Sequence, residues 1–129
     1  MELVDIMPTL MEFCGEEVPA GIHGRSLMPV LTGRAPLDHH REYVRCEYYN
    51  ALPSRGEPTY GTMVRDRRFK LAVYHGHDLG ELFDLERDPG EFENLWENPE
   101  YASVRFDLMK RSFDALAFAV DLGPPRRRE

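Results

Sequence analysis

His75-Gly76-His77-Asp78 sets two imidazoles one residue apart, the strongest chemical signal in this chain. Alternate residues of a strand share a face, so the pair can grip a metal ion with Asp78 or Glu81 as a further donor. Gly76 and the following Asp-Leu-Gly instead mark a turn, and polar residues solvated there are the plainer reading. His39-His40 lies in a polar linker and reads as solvated. Gly21-Ile22-His23-Gly24-Arg25-Ser26 spaces glycines ahead of a helix start, as an anion-binding loop does. It fits neither the P-loop nor the dinucleotide fingerprint, and a tight turn before a capped helix accounts for the glycines.

Nucleophilic chemistry is equally incomplete. Ser26 and Ser54 have no elbow around them. Cys14, on an apolar helical face, and Cys46, inside a strand pattern, read as small buried hydrophobes, with a disulfide between them the lesser alternative. Asp84, Glu86, Asp88, Glu91 and Glu93 are dense, but Asp88-Pro89-Gly90 does not fit a calcium loop, so a solvated acidic corner is the expectation. The residues assemble no catalytic site and no metal site. What remains are strand-end groups suited to sugar or aryl recognition: Tyr49 and Asn50 leaving one strand, His75 and His77 leaving another. These four are the candidate substrate-lining residues.

The elements that must position them are legible from periodicity. Ile6, Leu10 and Phe13 with Met7, Met11 and Cys14 recur at helical spacing, capped by Asp5 and stopped by Gly15. Ser26 can cap a second short helix through Leu31, ended by Gly33. Neither helix stands alone in water, so both must pack on something larger. EYVRCEYY, YGTMVR, FKLAVYH and ELFDL read as four strands on short links, which favours an antiparallel meander. Asp88-Pro89-Gly90 turns the chain out of the last strand. Asn98 and Pro99 then open a helix of roughly five turns. Ala102, Phe106, Met109, Phe113, Leu116 and Val120 draw its apolar stripe, widened by Tyr101, Val104 and Leu108, with Asp107 and Arg111 paired on the other side. The expected fold is α+β: a four-stranded antiparallel sheet packed by a long C-terminal helix, preceded by two short helices. The expected divisions are a helical segment 1–41, the sheet and helix 42–120, and a tail 121–129.

The totals narrow the partners. A chain of 129 residues holds one modest core. A formal net charge of -7 argues against nucleic acid, and Arg126-Arg127-Arg128 reads as a solvated tail. No apolar run approaches a membrane span, so no membrane partner is expected. Neither secretion nor redox compartment is readable, and localisation stays unknown.

The ordered segments carry a resemblance. VDIMPTLMEFCGEEVPAGIHGRSLMPVLTG is similar to a late sulfatase segment of the type V-D-x-x-P-T-L-L followed by G-x-S-L-x-P-L-L-x-G. MVRDRRFKLAVY resembles the family's arginine–lysine hairpin, with Arg65 and Lys70 at the recurrent positions, and EYYNALP resembles a bacterial branch. ELFDLERDPGEFENLW resembles L-[YF]-D-L-x-x-D-P-x-E-x-x-N-L, closed by Asn94. The resemblance, over nearly the whole chain, implies the C-terminal subdomain of an arylsulfatase-like member of the alkaline phosphatase superfamily. It also implies a parent that hydrolyses sulfate esters with formylglycine and calcium. The pattern C/S-x-P-x-R for that nucleophile is absent: Cys14 is followed by GEEV, Cys46 by EYYN and Ser26 by LMPV. This chain alone is therefore expected to be inactive, with no cofactor of its own. Its expected partner is the missing N-terminal sulfatase domain or a second copy of itself. A free-standing, self-associating interaction module, or the tail of a phosphodiesterase or phosphonate monoester hydrolase, are the alternatives.

Overall fold

The computed structural model describes residues 1–49 and 58–119. Its two compact units, one built on Met1–Arg41 and the other on Glu42–Leu116, are taken in turn.

In the first unit a 3-10 turn, Leu3–Asp5, runs into helix α1, Ile6–Phe13, and Gly15 at φ 78° ends it as expected. Helix α2 is the single turn Met28–Leu31, whose Met28 N–H donates to Ser26 Oγ at 3.1 Å. Gly24 lies so close to Val4 that a Cβ would overlap its carbonyl oxygen, which explains that glycine by close approach rather than by anion binding.

Asp5 does not cap its own helix by a side-chain bond; it is fully buried at the centre of this unit. Its carboxylate accepts from the backbone N–H groups of Glu2 and Arg25, both at 2.8 Å, and pairs with the Arg41 guanidinium. His40, expected to be solvated, instead sets Nε2 3.2 Å from Asp5 Oδ2 with only 14% of its side chain exposed. Thr9 extends the network: its hydroxyl donates to the Asp5 carbonyl and accepts from Leu27 N–H at 2.9 Å. The polar side of the helix is thus the inner one. Leu3, Met7, Leu10 and Phe13 point outward, with Leu3 83% and Phe13 73% exposed, while Met11, Leu27, Met28 and Val30 are half-buried. Cys14 is exposed and free, because the α1 face that carries it looks outward.

The second unit is a four-stranded antiparallel meander in the order β1-β2-β3-β4, with β1 Val44–Tyr49, β2 Tyr60–Arg65, β3 Phe69–Tyr74 and β4 Leu79–Asp84. Asp66 Oδ1 accepts from the N–H of Arg68 and of Phe69, building the tight β2–β3 turn. β4 starts two residues earlier than the alternation predicts, because Leu79 and Gly80 pair with Tyr74 and Val73.

Register lines up Arg45, Val64, Leu71 and Leu82 across one face. Val64, Leu71, Leu82, Leu95 and Leu108 form the core, with Phe69, Val73, Trp96, Tyr101 and Val104 packed against it. Cys46 therefore falls on the opposite side of the sheet, where it is exposed, not in the core. Phe83 shares that opposite side, where the Lys70 ammonium lies 5.6 Å from its ring centroid.

Asn98 Oδ1 accepts from Glu100 N–H at 3.0 Å, Pro99 opens a 3-10 turn, and helix α3 runs from Ala102 to Phe118. The helix meets the sheet with Val104 and Leu108, positions expected only to widen its stripe, and with Met109, a member of the predicted stripe itself. Phe106 and Phe113, central to the predicted stripe, are 68% and 66% exposed. The predicted Asp107–Arg111 pair is replaced by Lys110–Asp114 at 2.6 Å and Arg111–Asp66 at 3.5 Å.

The acidic corner after β4 is built, not merely solvated. Asp84 is 1% exposed and takes a two-pronged grip from Arg68, which holds its carboxyl below the usual carboxylate range. Glu91, at φ 58°, aims its carboxylate at Lys70. Asn94 and Leu95 then close the outer edge of β4. Asn94 Oδ1 accepts from Leu82 N–H and Nδ2 donates to Gly80 C=O, both at 3.0 Å, while Leu95 N–H donates to Leu82 C=O at 2.8 Å. One amide side chain thus imitates a strand and blunts the edge. Asn94→Ala is expected to lower stability by about 2 kcal/mol, and Asn94→Asp, which keeps the acceptor and loses the donor, by roughly half of that. Urea unfolding of both variants checks the order; equal losses would show that the donor bond is idle.

Candidate functional site

The four sequence candidates divide. Tyr49 ends β1 and stands opposite Tyr60, the first residue of β2, with ring centroids 6.0 Å apart and tilted by 51°. His75 follows β3 directly; its N–H donates to the Tyr60 carbonyl at 2.8 Å and its Nε2 lies 2.7 Å from Thr62 Oγ1. The antiparallel register therefore brings Tyr49, Tyr60 and His75 into one cross-strand row at the same end of the sheet. His77 is an exposed turn residue whose N–H donates to Tyr74 C=O at 3.3 Å, and no described contact joins it to the row. Asn50 lies outside the described residues.

Tyr60 and Thr62 are the members that sequence reasoning missed. The signal was present in the pairing: the polar connector 66–68 sets the β2–β3 register, and counting back from it places Tyr60 across from His75. Thr62 is nearly buried, so its hydroxyl needs the imidazole as a partner, and that bond fixes the ring's orientation. Tyr49 and Tyr60 stay about half exposed. The row offers two tilted aromatic faces and an imidazole, a surface able to stack a flat apolar ring and hydrogen-bond its rim.

It offers no reaction centre. Among the described residues no three of His, Cys, Asp and Glu converge where they could hold a metal ion. Neither cysteine stands in the formylglycine pattern. Behind the row, on the other face, Tyr74 Oη donates to Glu81 at 3.1 Å; burial and that carboxylate push its phenol above the usual range.

The sequence profile of the family described as N-sulphoglucosamine sulphohydrolase, C-terminal, matches residues 1–117. The chain belongs to the sulfatase family. This sulfatase domain is 37% identical over 101 residues to a delta 4,5-hexuronate-2-O-sulfatase of Bacteroides thetaiotaomicron, covering 78% of the chain and 20% of the relative. Its fold is similar to the crystal structure of a putative sulfatase from the same organism, with TM-score 0.77 and 33% identity, over 89% of this chain and 24% of that one. It is also similar to a phosphonate monoester hydrolase from Silicibacter pomeroyi, with TM-score 0.76 and 30% identity, over 92% and 25% of the two chains. The sulfatase domain thus spans a fifth to a quarter of the length of these relatives. The antiparallel sheet, the long C-terminal helix and the short N-terminal helices agree with the predicted fold class.

Proposed function

We propose that this chain is the C-terminal portion of a sulfuric ester hydrolase whose nucleophile and metal are supplied by residues outside it. The observation that carries the reading is the match to a C-terminal sulfatase profile over residues 1–117, in a chain whose match covers a fifth of its relative. Formylglycine and calcium belong, in this reading, to that other part. The outward stripe of Leu3, Met7, Leu10 and Phe13 supports a catalytic domain as the partner that covers α1. Tyr49, Tyr60 and His75 complete the substrate pocket by stacking and hydrogen bonding, not by bond making.

Incubated with calcium and an aryl sulfate, the purified chain is expected to show no turnover, whereas clear turnover would overturn the assignment. A second reading has its own support, since the phosphonate monoester hydrolase matches the fold about as well as the sulfatase does. A longer chain carrying this one at its C-terminus, assayed on an aryl sulfate and a phenylphosphonate monoester, separates the two by which ester it cleaves faster.

A further inference from the structure

The β2–β3 register sets Thr62 across from Val73, and His75, two residues further along the same face, stands diagonally from Thr62. Thr62 is 7% exposed, so its hydroxyl is kept from bulk water. A hydroxyl carries one hydrogen to donate and two lone pairs to accept with. The hydrogen has to find an acceptor, since a buried donor left without one is costly. Among the described residues the acceptor bonded to Thr62 Oγ1 is His75 Nε2, 2.7 Å away, and no second one is present. Glu47, the cross-strand neighbour of Thr62 in β1, turns its carboxylate to Arg45 Nη1 at 2.5 Å instead. The Thr62 hydroxyl therefore donates, and Nε2 receives it on its lone pair. A neutral imidazole that accepts at Nε2 carries its hydrogen on Nδ1. His75 is exposed, and no described residue pairs with Nδ1.

We propose that Thr62 is a positioning residue: it holds the neutral His75 ring with the hydrogen on Nδ1, so that His75 serves the row as a hydrogen-bond donor and not as a base. The role toward substrate rests on the reading of Tyr49, Tyr60 and His75 as pocket residues, whereas the place of the hydrogen stands on the Thr62 contact alone. In that role the two tilted tyrosine rings hold the faces of a bound ring, and Nδ1–H meets an oxygen on its rim. A sulfate, carboxylate or ether oxygen suits such a donor, the anionic ones most strongly. An ammonium group does not, because Nδ1 offers it no lone pair. Thr62 thus decides, through His75, which substituents the row accepts.

Nitrogen-15 spectra of the histidine-labelled chain at about pH 8, where an ordinary imidazole is neutral, read which ring nitrogen carries the hydrogen. The chain holds five histidines, so the His75 signals are identified by their loss in His75→Gln. His75 is expected with Nδ1 protonated and Nε2 bare. Thr62→Val, which keeps the branched shape and removes the hydroxyl, should spread the hydrogen over both nitrogens, and Thr62→Ser should keep it on Nδ1. A parent ring protonated at Nε2, or a ring indifferent to Thr62→Val, would overturn the proposal. The parent spectrum needs no change at Thr62, so it decides even if Thr62→Val fails to fold. In a longer chain carrying this one at its C-terminus, Thr62→Val is expected to raise KM for an aryl sulfate on the order of tenfold, the size of one lost hydrogen bond. There kcat should stay unchanged, and Thr62→Ser should restore KM. A hydrogen that follows Thr62 while KM stays put would overturn the placing of His75 in the pocket and leave the ring's protonation as proposed.

Discussion

Gly80→Ala should cost the sheet-and-helix unit about 3 kcal/mol and change the environment of the chain's single tryptophan. A Cβ built at position 80 would lie 2.3 Å from the Trp96 ring, far inside contact distance. The neighbour is a rigid indole rather than the end of a flexible chain, so the ring must leave its seat on β4. Its departure removes apolar contact from the core and uncovers the stacked Arg105 guanidinium, 5.0 Å from the ring centroid. It also strains Asn94 and Leu95, since Trp96 N–H donates to the same Asn94 Oδ1 that caps Leu82. Tryptophan fluorescence followed through urea unfolding reads both effects. An unshifted midpoint with unchanged native emission would show that the ring relaxes without loss.

Asp5→Ala is the second large effect, confined to the first unit and on the order of 3 kcal/mol. The substitution leaves the Arg41 guanidinium beside an empty buried space and strips Glu2 and Arg25 N–H of their acceptor. Amide exchange at Arg25 and Leu27 is the readout, and both amides should lose their protection. The same carboxylate sets a pH dependence. Burial opposes its ionisation, but the Arg41 bond and the two backbone N–H groups more than offset that, and its pKa falls well below the ordinary 3.8. A carboxylate whose folded pKa is depressed contributes its stability in full above its unfolded pKa. That contribution drains away as pH falls below 3.8 toward the folded value. Protection of Arg25 should therefore decline in acid in the parent chain and show no such decline in Asp5→Ala. Equal acid sensitivity in both would place the titrating group elsewhere.

These two residues mark the border between what was readable in advance and what was not. Helix and strand positions, the Asn98 cap, the Gly15 stop and the meander order were legible in the sequence, because each depends on neighbours within a few residues. Family membership was legible for the same reason: its motifs are strings of turn, cap and strand residues in a set order. Which side of each element is buried was not. Helix α3 carries one broad apolar face, and its own periodicity cannot choose between the Leu108 side of it and the Phe106–Phe113 line. The choice was made by where Trp96 and the Asn98 cap deliver the chain onto β4.

Strand β1 repeats the lesson. Its alternation separates Val44 and Cys46 from Arg45 and Glu47, yet only pairing with Val64 puts the charged set on the core side. Likewise His40 meets Asp5 across 35 positions, and Tyr49, Tyr60 and His75 meet through register alone. Local chemistry by itself determined the elements and the lineage of this protein. Tertiary packing decided which polar groups are buried together and which aromatic groups share a face, because those contacts join residues too far apart in the chain for periodicity to connect.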